Sequence, residues 1–189
     1  MRKGLTLMLG AMLLAATPAL AQAPAGARGN PPPPFTLTST SFPDGGVVPD
    51  KYSQAVPNPV SPALSWVNTP AGTQSFVVIM HDPDVALRKG TGDILHWMAF
   101  NIPGSATSLP EGVANNPTLP DGTIQPNNFG GKPGYMGMGS RGIDHHYTIE
   151  LFALDTKLSL GADATRDQVM AAMDGHVTGK AVIVGRFHR

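Results

Sequence analysis

The chain contains no cysteine. That excludes a disulfide scaffold, a thiolate metal site, a cysteine nucleophile and a lipid-modified N-terminus, each of which needs the thiol. Charge is also scarce, at 14% of residues, and it balances to a formal net of 0 without any cluster of Lys and Arg. A nucleic-acid surface, which requires a basic patch, is therefore not expected. No self-similar period marks a repeat architecture. No Gly-Lys-Ser/Thr loop marks a nucleotide site, and no His-Glu-x-x-His spacing marks a metalloprotease. The only long apolar run, Leu5 to Ala16, is about a dozen residues, short of the roughly 20 that a spanning helix requires.

What is abundant is Gly, at 22, and Pro, at 19, which points to many turns and short strands with few helices. At the N-terminus Arg2 and Lys3 precede the apolar run, and Ala19-Leu20-Ala21 offers the small-x-small pattern that signal peptidase reads. Residues 1–21 are accordingly read as a signal peptide, and the expected location is periplasmic or secreted, with no transmembrane segment after cleavage. Losing Arg2 and Lys3 takes the formal net charge from 0 to −2. Residues 22–34, ending in Pro31 to Pro34, carry no apolar payload and read as a disordered or polyproline-II spacer. A single domain over 35–189 follows, long enough to bury a core without staples.

Within it, Phe35, Leu37 and Ser39 alternate with threonines as in a half-buried strand. Gln74 to Met80 is a short β-branched run suited to a central strand, and Leu95 to Ile102, Tyr147 to Leu154 and Ala181 to Phe187 read as further strands. One helix is expected, with Thr165 and Gln168 at capping-box spacing, Val169, Ala172 and Met173 at helical intervals, and Asp174-Gly175 as the stop. The Gly-, Pro- and Asn-rich stretch between Ile102 and Tyr147 is too long to be a mere connection and is assigned to function. The fold class is mainly β, a two-sheet antiparallel β-sandwich with a short helix near the C-terminus.

The side chains able to do chemistry gather at predicted strand ends. His81 and Asp82 follow the first central strand, His96 opens the second, and His145 and His146 open the third. If the strands are neighbours these ends converge. Imidazoles beside glycine N–H groups would cradle an oxyanion, with Asp82 orienting one of the rings. Taken singly, each histidine reads as a satisfied core or capping residue, and Asp82-Pro83-Asp84 as a turn; the combination is what points to a site. Ser140 lies near Asp144 and His145, but Met138 stands where a nucleophile elbow needs glycine. The chain is therefore not expected to be an enzyme, and no cofactor or metal is implied.

Six elements occur together in one order. They are Ser61 to Trp66, Asp82-Pro83-Asp84, His96-Trp97 with Asn101-Ile102-Pro103, Gly134 to Gly137, His145-His146-Tyr147 with Ala153-Leu154-Asp155, and the closing helix with Gly175-His176-Val177. The set, from about Phe42 to Phe187, resembles the phosphatidylethanolamine-binding protein family, in particular its bacterial Raf-kinase-inhibitor-like branch. The resemblance implies a β-sandwich with a small pocket at one end for phosphate-like anions and phospholipid headgroups. It carries pocket roles to Asp82, His96, His145 and Tyr147, and makes the segment at Gly137 the pocket's backbone wall. Two departures stand out. Ala86 replaces a proline after Asp-Pro-Asp, and Gly137-Met138-Gly139-Ser140-Arg141 replaces a proline-rich rim. The rim should be more flexible for it, and Arg141 gains the possibility of a phosphate contact. The expected function is an exported, non-catalytic binding protein for a small anion or lipid headgroup. The alternative is a protein-interaction module inhibiting a periplasmic protease or other enzyme.

Overall fold

The computed structural model describes residues 31–189. The expected signal peptide, residues 1–21, and most of the expected spacer lie outside them. Pro31 to Pro34 are exposed and without regular structure.

Two sheets make the domain. The smaller has the order β1-β3-β6, from Thr36–Thr38, Leu64–Val67 and Ser108–Leu109. The larger has the order β2-β8-β7-β4-β5, from Gly46–Val47, Val177–Phe187, His145–Leu154, Ser75–Asp82 and Ile94–Pro103. Every pairing is antiparallel except β2 on β8. The helix α1, Arg166–Met173, has Thr165 as its cap in a complete capping box with Gln168.

The central strand β4 explains the architecture. Alternation sends Phe76, Val78 and Met80 to one face and Val77 and Ile79 to the other. The first set joins Trp66, Trp97, Tyr147, Ile149 and Ile183 in the core between the sheets. The second joins Met98, Phe100, Phe152, Leu154, Val169 and Met173 beneath α1. A strand covered on both sides must be apolar at every position, hence the unbroken run from Phe76 to Met80. Each fully buried side chain of this size contributes about 1.5–3 kcal/mol.

The strands extend beyond their apolar runs. β4 continues through His81 and Asp82, and β7 begins at His145, so these residues lie within the sheet and not after it. The long 104–144 segment is pinned by buried amides. Trp97 Nε1–H donates to Gln125 Oε1 at 2.8 Å, while Gln125 Nε2 donates to the carbonyls of Ala114 and Asn116, both at 2.8 Å. Asn128 Nδ2 donates to Gly134 O at 3.0 Å, and the Tyr135 hydroxyl to Tyr52 O at 2.5 Å. Because these partners are buried with the loop, its end arrives at a defined place against β5.

Candidate functional site

His145 stands at the first position of β7 and Asp82 at the last of β4, the adjacent strand. Asp82 is 1% exposed, and both its oxygens are used. Oδ2 accepts from His145 Nδ1 at 2.6 Å, and Oδ1 accepts from the Asp84 backbone N–H at 3.0 Å. The carboxylate thus sits behind His145, holds its Nδ1–H, and leaves Nε2 as the ring nitrogen available on the other side.

His96 reaches the same place by an irregularity. In the β4–β5 ladder Met80 opposes Trp97 and His81 opposes Leu95, so His96 is a bulge residue without a cross-strand partner. A bulge re-aims a side chain that strict alternation would send elsewhere. The residue is 2% exposed, and its Nδ1 lies 3.1 Å from both Met136 O and Gly137 O. Carbonyls only accept, so Nδ1 carries the proton and Nε2 is again the nitrogen left over. The backbone completes the clamp, because Met136 N–H donates to His96 O at 2.8 Å. Burial holds the His96 pKa below the usual imidazole range, opposed by these backbone carbonyls and by the nearby Asp82 charge.

The two rings line a cavity of about 810 Å³ with Gln54, Ile94, Met136 and Phe187, and Arg141 and Arg189 join its lining. Phe129 and Ile143, also in the lining, are 58% and 65% exposed. Among the described residues neither arginine pairs with a carboxylate.

Tyr147 and Gly137 stand behind this surface. Tyr147 is fully buried, its ring edge-on to His96 with centroids 5.0 Å apart. Its hydroxyl donates to Gly139 O at 2.5 Å and accepts from Gly139 N–H at 2.8 Å, so it fixes the rim. Burial pushes its phenol well above the ordinary range. The Gly137 carbonyl also accepts from Gln54 Nε2 at 2.9 Å, and a Cβ at Gly137 would meet Pro59 at 2.8 Å. Side-chain clamps thus hold this rim.

The five strand-end groups do not all converge. His81, next to Asp82 in the strand, points to the opposite face. There its Nδ1 lies 2.5 Å from Asp93 Oδ2, and Asp93 also pairs with Arg166 of α1. His146 is exposed, and both its backbone N–H and its Nδ1 bond Asp84 Oδ2, at 2.6 and 2.9 Å. That backbone N–H holds the Asp84 carboxyl below the usual carboxylate range. Period two decides the split, since neighbours in a strand face opposite ways. Ser140 Oγ lies within hydrogen-bond reach of the carbonyls of Ile143, at 2.9 Å, and Phe187, at 3.0 Å. Gln54, Ile94, Phe129 and Phe187 were not singled out by any spacing, because the fold alone gathers them.

The model of the phosphatidylethanolamine-binding protein family matches residues 38–188. The chain is 39% identical to a UPF0098 protein of Methanothermobacter thermautotrophicus over 82% of this chain and 99% of that one. It is 33% identical to a UPF0098 protein of Chlamydia pneumoniae over 81% and 98%. The chain belongs to the phosphatidylethanolamine-binding protein family. Among solved structures, the putative phosphatidylethanolamine-binding protein homologue CT736 of Chlamydia trachomatis aligns with a TM-score of 0.74 at 32% identity, covering 82% of this chain and 98% of that one. YbcL of E. coli, described as a member of the mammalian family, aligns with a TM-score of 0.72 at 28% identity over the same shares.

Proposed function

We propose that this chain is an exported, non-catalytic binding protein whose cavity holds phosphate-like anions or phospholipid headgroups. One observation carries the reading. His96 and His145 are each fixed through Nδ1 from behind, leaving their Nε2 atoms for one cavity whose lining also has Arg141 and Arg189, neither paired with a carboxylate among the described residues. Guanidinium donors, and imidazole nitrogens that give or take a proton, are the groups that recognise a phosphoryl group. The family's name agrees with such a ligand. Catalysis is disfavoured because Ser140 meets backbone carbonyls and has no imidazole partner among the described residues. Export rests on the Arg2-Lys3 start and the Ala19-Leu20-Ala21 pattern. No helix among the described residues is long and apolar enough to cross a membrane.

The test is thermal melting of protein lacking residues 1–21, with and without phosphate and phosphoethanolamine. A ligand at a hundred times its Kd adds about 2.7 kcal/mol, which at this chain length raises Tm by about 5–10 °C. The rise should disappear in His145→Ala. No rise in the wild type with either ligand would overturn the proposal.

A further inference from the structure

We infer that His96 makes this cavity selective for oxyanions that bring their own proton, namely inorganic phosphate and phosphomonoesters, over sulfate and phosphodiesters. The inference rests on the anion-binding reading and narrows it.

The argument begins at Nδ1. With Met136 O and Gly137 O both at 3.1 Å, that nitrogen has two acceptors and must donate. An imidazole with its proton on Nδ1 has only a lone pair at Nε2, and that is the atom facing the ligand. Giving Nε2 a proton as well would place a cation in a site that is 2% exposed. Burial opposes this, in line with the depressed pKa of the ring. The titratable and charged groups around it are His145 and Tyr147 on β7, Asp82 on β4, and Arg141 and Arg189 across the cavity.

A lone pair at the floor of an anion site asks for a donor from the ligand. A phosphomonoester supplies one as its monoanion, whose P–OH predominates below its second pKa near ~6. The P–OH then donates to His96 Nε2 while the remaining oxygens accept from Arg141 and Arg189, and from His145 once its Nε2 takes a proton with the Asp82 carboxylate behind the ring. Sulfate is fully ionised at neutral pH and a phosphodiester has no P–OH, so each would set an oxygen lone pair against a nitrogen lone pair. A buried acceptor left without a donor weakens binding by about 10- to 100-fold.

The experiment is calorimetric titration of protein lacking residues 1–21 at about pH 5.5, below that second pKa, with phosphate, phosphoethanolamine, sulfate and glycerophosphoethanolamine. Phosphate and phosphoethanolamine should bind, with sulfate and the diester about 10- to 100-fold weaker. Sulfate or the diester binding within a few-fold of phosphate would overturn the inference and leave the anion site standing. An ammonium bond to His96 would show as tight binding of the diester, and counts against it equally. If none of the four binds, the anion-binding reading fails and this inference with it. His96→Gln, whose amide can turn its NH₂ toward the ligand, should bring the phosphate-to-sulfate ratio toward one, whereas His145→Gln should weaken both anions together. An unchanged ratio in a folded His96→Gln protein would remove His96 from the role.

Discussion

Replacing Asp82 by asparagine changes one oxygen to an NH₂ group and almost nothing in shape, so its effect isolates the carboxylate's chemistry. Asp82 accepts twice, from His145 Nδ1 at 2.6 Å and from Asp84 N–H at 3.0 Å. Asparagine has a single carbonyl oxygen for these two donors. If that oxygen stays on Asp84 N–H, the NH₂ group faces His145 and forces its proton from Nδ1 to Nε2. If it turns to His145, the NH₂ group abuts the Asp84 N–H. Either way one buried charge-assisted bond is lost, worth about 1.5–3 kcal/mol. At about 2–4 °C per kcal/mol for a chain of this size, Tm should fall by about 3–12 °C. Affinity for phosphate should fall by about 10- to 100-fold, because His145 loses the counter-charge that supports it when an anion arrives. Melting and calorimetry on the folded variant read both quantities. A folded Asp82→Asn protein with unchanged Tm and unchanged phosphate affinity would refute the reasoning.

Other outcomes follow from the same geometry. His81→Gln should lower Tm through the loss of its Asp93 contact yet leave phosphate affinity unchanged, since that ring lies on the helix-covered face. The His96 pKa is depressed in the fold, so the unfolded chain takes up this proton first as pH falls. Its contribution to stability is therefore complete above about pH 6.5 and is lost as pH drops toward the folded value, which a melting series in a non-phosphate buffer checks. Asp84, also depressed, acts with the same sign in a lower window, holding above its ordinary 3.8 and failing below it. The intact mass of exported protein should correspond to a chain beginning at Gln22, and a species retaining Met1 to Ala21 there would contradict the signal-peptide reading.

Much of the sandwich was legible because its strongest signals are local. A strand buried on both faces must be apolar throughout, and β4 is. The helix announced itself through Thr165 and Gln168, whose reciprocal bonds are a property of four consecutive residues. Short strands such as β2, β3 and β6 have two to four residues, too few for a period to emerge. For the site, the residue types were visible but their aim was not. Simple alternation separates His81 from Asp82 and His146 from His145, which reading the strand ends as a group obscured. His96 is the opposite case. Only the bulge opposite Met80 and His81 turns it into the cavity, and a bulge has no signature in residue types alone. The role of Tyr147 as a brace for Gly139 likewise depends on where a distant loop returns, which Gln125 and Trp97 decide together.

The most direct test of the central claim is side-chain ¹⁵N NMR of the histidines during a phosphate titration. His96 and His145 should respond together, with a common apparent Kd, while His81, His146 and His176 keep their resonances. In the free protein at pH 7, His96 should show a protonated Nδ1 and a bare Nε2 that becomes hydrogen-bonded on saturation. Phosphate binding that leaves His96 and His145 unmoved, or that moves His81 in their place, would contradict the account.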